Sequence, residues 1–157
     1  MQEAATLLRA LLKELGLESW LKTSGGVGLH LAVPLAPERD HRAVKAVARS
    51  IVEHLARTLP TRFAARSGAG NRRGKVFVDY LRNGPAQTTV AAFSARARAG
   101  LGVSMTIAWD ELPSIHGGAE WNIATAPDFL PGRSDPWAAY WRTPQSLDRA
   151  VALLEGA

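Results

Sequence analysis

Residues Lys22 to His30 read KTSGGVGLH, with glycines at 25, 26 and 28 between two apolar stretches. Trp20 and Leu21 open a short extended piece, and Leu29-His30-Leu31-Ala32-Val33 alternates loosely until Pro34. Glycine tolerates the left-handed backbone that tight turns require. The spacing therefore predicts two short strands joined by a glycine turn. Successive glycine amides can also line a nest for an anion, with Ser24 and His30 as side-chain donors. The same residues would equally make a plain hairpin with an outward histidine.

Outward from the hairpin, Ala4, Leu7, Leu8, Leu11, Leu12 and Leu15 recur at helical spacing, and Gly16 is a natural stop. Val44, Val47, Ala48, Ile51 and Leu55 mark a second helix that leads in from Pro37–Asp40 and closes at Pro60. Residues 61–75 read as loop. Val76–Leu81 reads as a strand, Asn83-Gly84 as a turn and Thr88–Phe93 as a second strand, together an antiparallel pair. Val103–Ile107 predicts a short strand, Trp109–Leu112 a helical turn and Ser146–Leu154 a last helix. Helices alternating with hairpin-joined strands predict an α/β or α+β fold with a mostly antiparallel sheet.

The chain has 157 residues, enough for one compact domain over 1–157. It has no cysteine, which excludes disulfides and thiolate metal sites. His30, His41, His54 and His116 lack ligand-like spacing, which argues against structural zinc. No apolar run approaches the ~20 residues of a membrane span. The charged, amphipathic start does not read as a secretory signal, so a cytoplasmic, membrane-free setting is expected.

The net charge is +5. Between Arg57 and Thr106 lie Arg57, Arg62, Arg66, Arg72, Arg73, Lys75, Arg82, Arg96 and Arg98, against a single acid, Asp79. Such a field suits a phosphate or polyanion partner, or a solvated basic face. Gly70–Lys75 is not a P-loop. Ala69 stands where the first glycine belongs, Val76 replaces the Ser/Thr, and a strand is expected where a helix should follow. Arg72, Arg73 and Lys75 fit a loop that contacts a nucleic-acid backbone, or solvent-facing charge. Asp79 interrupts an apolar strand, where a carboxylate is costly unless paired. Arg82 could pair with it, or Asp79 could hold Mg²⁺ or Mn²⁺ before a triphosphate. One carboxylate holds a hard cation poorly, and two-metal chemistry needs more. Asp110-Glu111 read more naturally as a helix start. In extended backbone Arg96 and Arg98 would project to one side, as a phosphate clamp or a polar rim. The tryptophans could stack on bases, although four of the five sit near apolar segment ends, as anchors do.

These pieces together resemble the polymerase domain of bacterial ATP-dependent DNA ligase D, in the archaeo-eukaryotic primase superfamily. The resemblance is carried by Leu21–Gly26 with Gly28-Leu29-His30, by Val76–Asn83, and by Phe93–Arg98. Val103-Ser104-Met105 and Trp109–Leu112 follow in the same order, and it extends to Asp135-Pro136-Trp137. It implies a primase-polymerase-like α+β fold and templated nucleotidyl transfer in double-strand-break repair by end joining. The partners it implies are DNA ends and a nucleoside triphosphate, with Mn²⁺ or Mg²⁺ as cofactor and a fused or associated ligase. On this chain, Ser24 and His30 match residues that hold the triphosphate. Asp79 matches a catalytic, metal-binding carboxylate associated with the primer 3′-hydroxyl. Arg82 and Arg96 match arginines near the nucleotide, and Arg72, Arg73, Lys75 and Arg98 are the candidate nucleic-acid contacts.

Two departures qualify the resemblance. The family's Asp-x-Asp pair lies on a strand just before the first helix, and this chain starts at that helix. The sequence is therefore expected to represent the C-terminal part of the domain, truncated at the N-terminus. As an isolated chain it is expected to be inactive. The alternative is a degenerate relative that binds nucleotide or DNA without catalysis, and self-association could cover a newly exposed edge. The second departure is Val27, where the family usually has lysine. It removes a cation from the glycine motif, for which Lys22 could compensate.

Overall fold

The computed structural model describes residues 1–66, 68, 70 and 73–156. Contacts divide the chain into two compact units. The first comprises Met1–Ala5, Glu18–Pro34 and Val90–Pro144, and the second Thr6–Leu17, Leu35–Thr89 and Gln145–Ala157.

The first unit is built on the glycine hairpin. Strand β1, Trp20–Thr23, pairs antiparallel with β2, Leu29–Ala32, in the register Trp20 to Ala32 and Thr23 to Leu29. The other edge of β1 pairs antiparallel with a strand at Thr106–Ile107 (β5, after two strands of the second unit). Being central, β1 is buried on both faces from Leu21 to Thr23. Leu21, Val103, Met105, Ile107, Leu112, Ile115 and Trp121 form the core. Each such side chain contributes roughly 1.5–3 kcal/mol on burial. Thr23 and Ser104 are internally matched, whereas Ser19 Oγ and Thr106 Oγ1 are buried without a partner among the described residues. Thr23 Oγ1 donates to the Val103 carbonyl (3.2 Å) and accepts the Met105 N–H (2.8 Å). Ser104 Oγ donates to the Thr23 carbonyl at 2.6 Å. Trp137 Nε1 donates to the Leu21 carbonyl (2.9 Å), and Trp109 Nε1 to that of Ser19 (2.7 Å), so these two tryptophans anchor the sheet. Trp20 packs edge-on against Tyr140, whereas Trp141 is 87% exposed.

In the second unit the first helix ends as the sequence predicts. Helix α1, Gln2–Glu14, begins in the first unit and stops at Gly16, whose φ of +80° requires glycine. The Gly16 N–H reaches the Lys13 carbonyl and the Leu17 N–H that of Leu12, the paired closure of a Schellman stop. Helix α2, His41–Thr58, starts where Asp40 accepts the Ala43 N–H at 2.8 Å, and buries Ile51, Val52 and Leu55. The last helix, at Asp148–Glu155, packs against α2. A short helix at Ala126–Phe129 in the first unit precedes it, making these α4 and α3.

The class is α+β with mostly antiparallel pairing, as expected. The segment from 61 to 93 departs from its sequence reading. Residues 61–75 are not all loop, because Phe63–Ala64 forms a buried strand β3. It pairs parallel with β4, which covers only Val76–Phe77. The expected strand to Leu81 is cut short because the Asp79 carboxylate accepts the Leu81 N–H at 3.0 Å and turns the chain into a 3-10 turn at Leu81–Asn83. Gly84 has φ −84° and ψ 164°, so Asn83-Gly84 is not the hairpin turn its sequence suggested, which needs positive φ. Thr88–Phe93 forms no strand: Phe93 takes a φ of +61°, which ends any extended run.

Candidate functional site

The turn after β1 is closed by Ser24. Its N–H donates to the Gly28 carbonyl at 3.1 Å, and its buried Oγ accepts the N–H groups of Gly26 (3.2 Å) and Gly28 (3.1 Å). Two amides that could have lined an anion nest are thus turned inward onto Ser24. Gly25 holds φ +63°. Two glycines from elsewhere in the unit let the turn sit where it does. A β-carbon on Gly102 would fall 2.6 Å from the Gly25 carbonyl oxygen, and one on Gly118 only 2.2 Å from that of Gly28. Val27 stands 85% exposed at the tip.

Arg96 lies along this turn. A β-carbon added to Gly26 would meet Arg96 Nη1 at 2.9 Å, and one added to Gly25 would meet Arg96 Cγ at 3.2 Å. The segment bearing Arg96 is held to Gly102–Ser104 by Phe93 N–H to the Ser104 carbonyl, Ser104 N–H to that of Ser94 and Arg96 N–H to that of Gly102. It is not the extended run that would project Arg96 and Arg98 together. The Arg98 N–H bonds back to the Arg96 carbonyl at 2.7 Å, a tight reversal at Ala97. Arg98 is exposed.

Beneath the turn lies a second cation. Lys22, on β1, is buried to 6% exposure. Its Nζ contacts the Val90 carbonyl at 2.7 Å, Ser104 Oγ at 2.9 Å and His30 Nδ1 at 3.1 Å. The β1–β2 register places Lys22 opposite His30. Burial, and secondly the charge of Arg96, lower the Lys22 ammonium pKa to about 8. Ser24, His30 and Arg96 are therefore brought together around one turn, with Lys22 and Ser104 below. The sequence signal for Lys22 was its position eight residues before His30 across a hairpin; Ser104 and the exposed, positive-φ Phe93 gave none.

In the second unit, Asp79 is not the buried strand carboxylate its sequence context implied. It lies beyond β4, with its side chain 44% exposed. One oxygen caps the Leu81 N–H, and the other stands 3.6 Å from Arg82 Nε. Arg82 also reaches the Thr88 carbonyl. Arg73 and Lys75 line an open surface hollow of about 320 Å³ with Ala64, Ala65, Arg66 and Gly70. Arg72 lies outside the described residues. Among the described residues no group of three or more histidines or carboxylates is placed to hold a metal. Asp110 is exposed, and Glu111 is committed to the Ala108 N–H and to Arg133. A lone, partly engaged Asp79 does not fit a two-metal centre for Mn²⁺ or Mg²⁺. No helix among the described residues is long and apolar enough to cross a membrane.

Comparison with known proteins supplies the context for this turn. The family described as the LigD primase-polymerase domain matches residues 1–137. The multifunctional non-homologous end joining protein LigD of Pseudomonas aeruginosa is 50% identical over 154 residues, which span 96% of this chain and 18% of that protein. The bifunctional LigD of Bacillus subtilis is 28% identical over 91% of this chain and 24% of its own length. Among solved structures, the polymerase domain of Mycobacterium tuberculosis ligase D in complex with DNA superposes with a TM-score of 0.81 at 27% identity. That match covers 92% of this chain and 50% of the solved one. By the extent of the profile match and the identity to these relatives, the chain belongs to the LigD primase-polymerase family.

Proposed function

We propose that this chain is the nucleotide-binding part of a primase-polymerase domain that carries out templated nucleotidyl transfer in DNA end joining. Ser24 shapes the turn, while His30 and Arg96 meet the phosphates of a nucleoside triphosphate. Arg82 steadies the nucleotide, and Asp79 would be one of the several carboxylates that a catalytic Mn²⁺ or Mg²⁺ requires. Arg73, Lys75 and Arg98, with Arg72, contribute positive charge toward DNA. The observation that supports this reading is the convergence of Arg96 and His30 on a turn stapled by Ser24. A guanidinium and an imidazole beside a glycine turn suit phosphate oxygens, which charge-assisted donors recognise well.

By itself the 157-residue chain binds nucleotide without extending a primer. A single carboxylate, already capping Leu81, cannot align a 3′-hydroxyl and an α-phosphate through two cations. Incubation with a labelled nucleotide, a primed template and manganese tests both halves. The expected result is salt-sensitive retention of nucleotide and no extended primer. Manganese-dependent extension would overturn the inactivity, and no retention at low salt would overturn the binding.

The exposed valine at position 27 favours a second reading, a binding module that has relinquished catalysis. Its discriminating property is nucleotide or DNA binding that manganese and further LigD segments do not convert into synthesis.

A further inference from the structure

Phe93 holds a φ of +61°, a backbone conformation that glycine adopts freely and a bulky aromatic rarely does. Its ring stands 52% exposed, so it adds little to the core. The other phenylalanines have plain structural places. Phe63 is buried, Phe77 lies half-buried in β4, and Phe129 packs against Trp121 with ring centroids 4.4 Å apart. Neither backbone preference nor core packing accounts for a phenylalanine at position 93. A residue in such a conformation persists only where its surroundings fix it, and such residues gather at functional sites.

The contacts that fix Phe93 also tie it to the glycine turn. Its N–H donates to the Ser104 carbonyl at 2.6 Å, and the Ser104 N–H donates to that of Ser94 at 3.0 Å. Ser104 Oγ in turn donates to the carbonyl of Thr23, the residue before Ser24. On one side of Phe93, the Val90 carbonyl accepts from Lys22 Nζ at 2.7 Å. On the other, the Arg96 N–H donates to the Gly102 carbonyl at 2.9 Å, and the Arg96 guanidinium lies along Gly26. The backbone at Phe93 is therefore pinned between the cation beneath the turn and the cation along it.

We infer that Phe93 is a stacking platform for a nucleobase, set beside the glycine turn. This rests on the triphosphate reading of that turn for the kind of ligand brought to it. A guanidinium suits phosphate oxygens. An exposed ring on the same pinned segment suits the flat heterocycle that a nucleotide carries with its phosphates. Stacking of this kind tolerates any base, because every base has a π-face. A nucleoside triphosphate and the end of a DNA strand both present this chemistry. Arg98, exposed on the same segment, adds positive charge for the phosphates of a strand.

Calorimetric titration of the 157-residue chain and of Phe93→Ala separates the ring from the phosphates. The probes are ATP against inorganic tripolyphosphate, and a short oligothymidylate against an abasic strand of equal length. Phe93→Ala should lose about 10-fold in affinity for ATP, the oligothymidylate or both, the worth of one stacked base, and change by less than about 2-fold for the base-free counterpart. Phe93→Trp should keep the affinity. Loss on ATP assigns the base to the incoming nucleotide, and loss on the oligothymidylate assigns it to a strand. Unchanged affinity for both base-bearing probes, or an equal loss with and without a base, would overturn the inference. Phe93-dependent binding of ATP with no binding of tripolyphosphate would support the platform and overturn the triphosphate reading instead. No binding of any probe would overturn both. In the unmodified chain, the Phe93 ring protons should shift upfield with a base-bearing probe and not with its base-free counterpart, so a variant that fails to fold does not weaken the test. Ring protons that ignore the base would likewise overturn the inference.

Discussion

The α-carbon of Gly118 lies so close to the Gly28 carbonyl that an added β-carbon would sit 2.2 Å from its oxygen. That separation is far inside van der Waals contact, and both sides are backbone. The glycine turn is thus seated by a residue ninety positions away. Gly118→Ala should displace the turn and destabilise the chain by roughly 1–3 kcal/mol, the usual cost of overpacking. Gly117→Ala is the control, since its added carbon would meet nothing nearer than the Ala119 nitrogen at 4.0 Å. Urea denaturation of the two variants checks this, and equal stability would refute the seating.

A second prediction concerns Lys22 and pH. Its folded pKa, about 8, is depressed below the ordinary 10.5. Between those values the unfolded chain holds a proton that the folded chain has lost. The contribution of Lys22 to stability therefore rises with pH across that window. Denaturation at pH 8, 9 and 10 should show wild type gaining on Lys22→Met. A constant difference would mean that burial leaves the lysine unperturbed.

The hairpin and both long helices were legible in the sequence because their signals are local. Gly16 supplies a positive φ, Asp40 a cap, and the leucines of α1 a periodic stripe. What could not be read was set by side-chain hydrogen bonds, some local and some distant in sequence, that composition does not reveal. Val76–Leu81 has the composition of a strand, but a carboxylate two residues before Leu81 captured its amide and turned the chain. The same event moved Asp79 from an expected interior to an exposed position. Lys22 entered the sequence reading only as a cation that could compensate for Val27, and the pairing of β1 with β2 and the position of Ser104 show it buried. Ser24 was singled out as a donor toward phosphate, and its oxygen is spent accepting the turn's own amides.

Asp79 and Arg82 yield a third prediction. Their 3.6 Å ion pair is exposed, and such pairs contribute at most about 1 kcal/mol. Asp79→Asn keeps an oxygen to cap Leu81 and should change thermal stability by less than that. A loss above about 2 kcal/mol would show that the carboxylate's main work is structural.

Position 27 gives a fourth. Val27 is 85% exposed at the tip of the turn, so a lysine there costs no burial. Val27→Lys should raise affinity for inorganic tripolyphosphate about 2- to 5-fold at low salt, equivalent to ~0.5–1 kcal/mol for a solvent-screened charge. Unchanged affinity would place the tip away from the phosphates.

The most direct test of the account is calorimetric titration of the chain with inorganic tripolyphosphate, alongside His30→Ala and Arg96→Ala. The expected result is binding that weakens as salt rises and falls by about 10-fold or more in each variant, as charge-assisted contacts are lost. Affinity that is equal in all three proteins and indifferent to salt would contradict a phosphate site at the Ser24–His30 turn.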